Sequence, residues 1–254
     1  MSQPSILISN DDGIYSEGIY ALWESMQDIG ETIVVAPNTE KSAVGHAITL
    51  SDPIRIEEIK RSGGFEGYAV NGTPADSVKI GVKAIMKSKP DIIISGINHG
   101  ANVGQSLLYS GTISAATEGT FLGIPSIAIS LDALKNCNFE NAKVVAKNIV
   151  KTVLKNGLPK DTALNINVPH GPGNKIKGYK VTRQGSIYFK DHFDKREDPR
   201  GRQYYWMTGD VKNPDNDLHS DGVALKEGYV SITPIQLQMT NINFMEELNK
   251  WSFS

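Results

Sequence analysis

Short apolar runs alternate with helix-spaced apolar residues through the first two thirds of this chain, and few folds accept that order. Ser5–Asn10 and Glu31–Ala36, with Ile33, Val34 and Val35, read as buried strands. Between them Ile19, Leu22, Trp23, Met26 and Ile29 recur at helical spacing, and Gly30 supplies a stop. Together they make one βαβ unit with a right-handed crossover. Thr73-Pro74-Ala75-Asp76 opens a second helix, with Thr73 as N-cap, Pro74 in first position and Val78, Val82 and Ile85 on the inner face. Strands follow at Asp91–Ser95, Pro125–Ser130 and Ala163–Val168, with an amphipathic helix over Asn141–Asn156. The expectation is an α/β protein built on a doubly wound, mostly parallel sheet.

After Pro169 the texture changes. Residues 175–206 hold nine Lys or Arg against four Asp or Glu, together with seven of the nineteen aromatics. Short β-like pieces, Tyr179–Thr182 and Tyr204–Met207, lie between glycines, so the segment reads as an excursion of hairpins. A return strand follows at Tyr229–Thr233, then a short helix near Asn243–Lys250. The expected division is a core over residues 1–170 and a hairpin-and-return segment over 171–254.

Composition mainly removes function classes. A net charge of −2 gives no global attraction to nucleic acid or an anionic membrane. The single cysteine, Cys137, rules out an intrachain disulfide framework and fits a reducing cytoplasm. The run before Asp11 is too short and lacks the basic start of a signal peptide, and no stretch is long and apolar enough for a membrane span.

The chemistry gathers where strands end. Strand one runs into Asp11-Asp12-Gly13, strand two is followed by a loop carrying Ser42, and Asn98 lies just past strand three. In open α/β sheets those carboxyl ends form the ligand rim. Singly, an Asp-Gly reads as a turn, and Ser42 or Asn98 as loop polarity. Jointly they bring two carboxylates, a hydroxyl and an amide to one place. These are hard oxygen donors with no thiolate or histidine pair, which favours Mg²⁺ or Mn²⁺ over Zn²⁺. From Ile94 the chain passes through Gly96, Gly100 and Gly104 to Tyr109-Ser110-Gly111-Thr112, where a small-residue helix begins. Such a loop suits phosphate, because free helix-start N–H groups point at the anion. The glycine spacing is not that of a dinucleotide fingerprint. His99 reads first as a surface or supporting group, with a catalytic role as the alternative, and His46 as a bland loop histidine that could meet substrate; His170, His192 and His219 read as structural or exposed.

Asn10-Asp11-Asp12-Gly13, Ala36-Pro37 with Ser42, Asn71-Gly72-Thr73-Pro74-Ala75-Asp76, Ser95-Gly96-Ile97-Asn98 and Tyr109-Ser110-Gly111-Thr112 occur in this order and spacing. Across essentially the whole chain they resemble the signature blocks of the SurE family, the survival-protein 5′/3′-nucleotidases. The resemblance implies a Rossmann-like core, a hairpin used in oligomerisation, and metal-dependent hydrolysis of nucleoside monophosphates to nucleoside and phosphate. It implies metal ligation by Asp11, Asp12, Ser42 and Asn98, and a phosphate cradle of Ser110, Gly111 and Thr112 that Asn98 also touches. Asp11 and Asp12 are the expected catalytic carboxylates, either of which could orient or deprotonate the attacking water. A homodimer or homotetramer follows from the same resemblance. Two other readings differ in class. An aspartyl-phosphoenzyme phosphatase would place its aspartates two apart, where this chain has Gly13. A nucleic-acid or nucleotide-binding regulator would use the basic, aromatic segment 175–206.

Overall fold

The structure is a computed structural model in which residues 3–170 and 176–253 are described. Its strands are β1 (Ser5–Ser9), β2 (Glu31–Pro37), β3 (Ile56–Lys60), β4 (Glu66–Val70), β5 (Ile92–His99), β6 (Ser126–Leu131), β7 (Thr162–Val168), β8 (Tyr179–Val181), β9 (Tyr188–Glu197), β10 (Gln203–Lys212) and β11 (Val230–Gln236). The helices are α1 (Glu17–Met26), α2 (Pro74–Ile80), α3 (Gly111–Phe121), α4 (Glu140–Asn156), α5 (Asp221–Lys226) and α6 (Ile242–Leu248). Nine strands form one sheet in the order β3-β4-β2-β1-β5-β6-β7-β11-β8, and β9 with β10 makes a separate two-stranded ribbon. All pairings in the large sheet are parallel except β3 with β4 and β7 with β11.

The central strands are apolar on both faces because both faces are covered. Ile6 and Ile8 on β1 join α1 and α4 residues such as Leu22, Trp23, Val145 and Ile149 in one core. Leu7, with its side chain on the opposite face, joins Val78 of α2 and Ala115 of α3 in the other. All three β1 residues are fully buried. Helix starts are fixed by local hydrogen bonds. Thr73 and Asp76 form a reciprocal capping box at α2, and Ser16 caps α1 by accepting from the Ile19 N–H.

Several expectations are corrected. β3, at the sheet edge, carries Glu57, Glu58 and Lys60, and β4 beside it opens on Glu66 and Gly67, so their apolar signal is thin and neither is expected from the sequence. The α2 pattern does not run on to Ile85: the helix ends at Ile80, and a wider π turn spans Gly81–Ile85. Asn98 sits inside β5 rather than beyond it, after a register shift between Ser95 and Asn98. Tyr179–Val181 does not belong to the excursion but pairs with β11 at the edge of the large sheet. The ribbon itself is longer than expected, with Phe189 opposite Val211 and Phe193 opposite Met207. The return strand at β11 and the late helix at α6 appear where expected. The division expected between residues 170 and 171 abuts residues 171–175, and those residues, Lys175 among them, lie outside the described ones. Among the described residues no helix is long and apolar enough to cross a membrane.

Candidate active site

β1 and β5 are neighbours from which the chain departs to opposite sides, β2 and β4 lying one way and β6 and β7 the other. A sheet opens a crevice at such a point, beyond the strand ends. Asp11 and Asp12 stand at the end of β1 there, and Asn98 stands at the end of β5. A cavity of about 260 Å³ lies over them, lined by Asp11, Ser42, Asn98, His99, Asn102 and Ser110 among others. A second lobe of about 450 Å³ adjoins it through Ser42, His99 and Leu134, and adds Asp12, Ser16 and Glu40. The structure thus brings Asp11, Asp12, Ser42, Asn98 and Ser110 to one two-lobed cleft.

Asp11 is the buried carboxylate of the pair, 5% exposed. The Thr112 hydroxyl donates to its Oδ1 at 2.6 Å. Gly111 stands against it so closely that a Cβ there would lie 2.6 Å from the Asp11 Cβ. Only glycine lets the start of α3 come this near. Burial pushes the Asp11 carboxyl up to about 6; the Thr112 hydrogen bond opposes that rise and the Asp12 charge adds to it. Among the described residues neither Asp11 nor Asp12 forms an ion pair with a lysine or arginine.

Asp12 is held differently. Its Oδ2 accepts from the His99 backbone N–H at 3.2 Å and lies 3.0 Å from the His99 Nδ1. The imidazole packs edge-on against Phe139. The bond to Asp12 holds the His99 ring above its ordinary range, against the effect of burial. His99 is therefore a fixed partner of a site carboxylate, a role the sequence offered no spacing signal for.

Ser42 rides on a long irregular loop that is tied at four places. The Lys41 N–H donates to the Asp11 carbonyl at 2.7 Å, and the Gly45 N–H to the Tyr109 carbonyl at 3.0 Å. His46 Nε2 meets Glu118 at 3.0 Å on α3, where Lys79 also pairs with Glu118. Thr49 donates through both its N–H and its hydroxyl to Asp76. His46 thus braces the loop against α3 instead of facing the cleft. The Ser42 hydroxyl donates to Glu40 at 2.6 Å, which leaves its lone pairs for a ligand. Asn98 uses its amide nitrogen on the carbonyls of His99 and Gly100, at 3.2 and 2.8 Å. Its carbonyl oxygen accepts no hydrogen bond among the described residues.

The start of α3 completes the cleft. Ser110 is the N-cap and its Oγ accepts from the Ile113 N–H at 3.2 Å, while Gly111 and Thr112 carry the first N–H groups of the helix. Thr112 is fully buried and its hydroxyl donates to Asp11; of the expected cradle, Ser110 lines the cleft, while Gly111 and Thr112 lie behind it.

A hard divalent cation fits these residues. A buried carboxylate with no cationic side chain beside it is stabilised by a bound cation, and the group at hand is all oxygen. Among the described residues no group of three or more His, Cys, Asp or Glu side chains is placed to hold a metal ion, so a ligand set here must draw on Ser42 and Asn98 beside the carboxylates.

The family described as survival protein SurE matches residues 6–191. The chain is 45% identical to the 5′-nucleotidase SurE of Syntrophobacter fumaroxidans, over 97% of this chain and 99% of that protein. It is 48% identical to the 5′-nucleotidase SurE of Syntrophus aciditrophicus, over 95% and 91%. The crystal structure of the SurE protein from Aquifex aeolicus superposes with a TM-score of 0.84 at 42% identity, covering 97% of this chain and 98% of that one.

Proposed function

The chain belongs to the survival protein SurE family, and we infer that it works as its curated relatives are named, as a 5′-nucleotidase. Its reaction is the hydrolysis of a nucleoside monophosphate, 5′ or 3′, to nucleoside and phosphate. The observation that carries this reading is a pair of adjacent carboxylates, one of them buried, at the crevice where the start of α3 meets the end of β1.

Asp11, Asp12, Ser42 and Asn98 would hold one Mg²⁺ or Mn²⁺. When bound, that ion supplies charge neutralisation and Lewis acidity toward the phosphoryl group. The chain's own residues do the rest. The Gly111 and Thr112 N–H groups, with the Ser110 hydroxyl and the Asn98 side chain, bind the phosphoryl oxygens and stabilise the charge that grows on them. Asp11 orients the attacking water in line with the leaving nucleoside oxygen, and Thr112 keeps that carboxylate in one rotamer. Asp12, fixed by His99, bounds the other lobe, where Leu134 offers an apolar surface to the nucleoside.

The hairpin excursion of residues 175–206 serves assembly more than chemistry, and the core 1–170 carries the chemistry. One face of the ribbon presents Phe189, Phe193, Tyr205, Met207 and Val211, all exposed in the single chain. An apolar face of this kind is normally covered by a partner, here a second copy in a homodimer or homotetramer. Two basic residues on the ribbon are met by acids, Arg196 by Asp194 and Lys212 by Asp210, which weakens the case for nucleic acid. The single cysteine supports a cytoplasmic setting. Phosphate release from a panel of nucleoside 5′- and 3′-monophosphates, with Mg²⁺, with Mn²⁺ and with chelator, tests the reading. Release that is insensitive to chelation, or none from any nucleotide, overturns it.

A further inference from the structure

Asp221, in the first turn of α5, is fully buried and lies far in sequence from every cleft residue. Its Oδ2 accepts from the Gly104 N–H at 3.0 Å. Its Oδ1 accepts from the Gly185 N–H at 3.0 Å and from the Gly222 N–H at 2.7 Å. All three donors are glycine amides, and the packing explains why. A Cβ on Gly104 would lie 2.4 Å from the Ile187 carbonyl oxygen, and one on Gly185 would lie 2.6 Å from Asp221 Oδ1. Side chains at these positions would prise the segments apart.

The two segments differ in function. Gly104 begins the turn Gly104–Leu108, which leads directly to Tyr109 and Ser110 at the cleft. Gly185 lies at the root of the ribbon, just before β9. Two further bonds tie the same places: the Gln105 N–H donates to the Ile187 carbonyl, and the Gln184 side chain to the Gly104 carbonyl, each at 2.8 Å. A buried carboxylate that bridges two loops with separate oxygens fixes their spacing more firmly than neutral bonds do. Burial, with the Asp215 charge adding to it, holds the Asp221 carboxyl above its ordinary range against the pull of its three N–H donors.

We propose that Asp221 is a positioning residue for the phosphate-facing loop, and that through it the ribbon root sets where Ser110 and the start of α3 stand. This rests on the nucleotidase reading of the cleft. It gives the ribbon a second part beside assembly: a displacement at its root reaches the cleft through Asp221 and the two bonds beside it.

Asp221→Asn in the full chain tests this. The carboxamide keeps one acceptor oxygen for Gly185 and Gly222 but turns an N–H₂ group against the Gly104 N–H. The expected result is a fall in kcat of about tenfold to a hundredfold with KM changed less than about threefold, since a misplaced loop costs rate more than affinity. Amide exchange at residues 103–106 should quicken, while that of β1 and β5 stays as in the parent. Thr182→Val is the control for general loosening, because it breaks the buried Thr182–Thr233 hydroxyl contact without touching either loop. It should lower the melting temperature and leave exchange at residues 103–106 unchanged. Parent-like kcat in Asp221→Asn, or equal quickening of loop exchange in Thr182→Val, overturns the proposal. The exchange measurement needs no turnover, so an inactive parent would count against the nucleotidase reading while the loop result still decides the role of Asp221.

Discussion

Thr112 Oγ1 lies 2.6 Å from Asp11 Oδ1, and that contact joins the start of α3 to the end of β1. The helix start proposed to face the phosphoryl group and the carboxylate after the strand are thereby tied together. The hydroxyl has a single proton and Asp11 takes it, so any effect of this side chain on the proposed reaction runs through that carboxylate.

Thr112→Val keeps the shape and removes the bond. It should lower kcat/KM by about tenfold or more, because the carboxylate proposed to orient water loses its rotamer lock. The buried carboxylate left short of a donor should also cost about 1–3 kcal/mol of stability. Thr112→Ser should restore most of both. Steady-state kinetics and denaturant melts read the two effects, and a Val variant with parental kcat/KM would show the bond to be dispensable.

Asp12→Asn should weaken binding of Mg²⁺ or Mn²⁺ while leaving the fold intact, since a hard cation loses one of two charged ligands. Titration calorimetry of the purified variant gives the affinity directly, and circular dichroism checks the fold. Unchanged metal affinity would remove Asp12 from the ligand set.

Glu118 sets a pH dependence of stability. Burial raises its carboxyl, but hydrogen bonds from His46 and Lys79 outweigh that and hold it below its ordinary value of 4.5. Its folded form therefore binds protons less readily than its unfolded form. The stabilisation is whole above pH 4.5 and drains away as the pH falls through the folded value. Melting temperatures followed from about pH 6 to about pH 3 should fall more steeply for the parent than for Glu118→Gln. Parallel curves would mean that the three-way contact contributes nothing to folding.

Phe189→Ser with Phe193→Ser should shift the assembly toward smaller species and leave part of the phosphatase activity. Both rings lie on one face of the ribbon, beside Val211 and Met207. Multi-angle light scattering of parent and variant measures this, and a monomeric parent would refute the assembly.

The central sheet was legible because its strands are apolar on both faces and its helices carry clear start signals, Thr73 to Asp76 most plainly. The five signature blocks also marked the cleft residues, and folding brings Asp11, Asn98 and Ser110 to one rim. What stayed hidden lacked a local pattern. β3 shows only Ile59 to the core, so charge masks its period. His99 takes its meaning from Asp12, 87 residues away. Asp221 is further out of reach, since its partners are backbone N–H groups and one of them is 117 residues distant. Side-chain periodicity says nothing of a bond to a glycine amide.

The strand order has a consequence for a chain still being made. β11 lies between β7 and β8, so β8 leaves the ribosome with no strand to join, and β7 keeps an open edge until residue 236 has been added. Asp221 also emerges after both loops it binds. The nascent chain can thus assemble β1 to β7 early, yet its catalytic rim is braced only when the last fifth of the polypeptide arrives. Truncated translation products would carry every signature block of the cleft and still lack the carboxylate that sets its phosphate-facing loop.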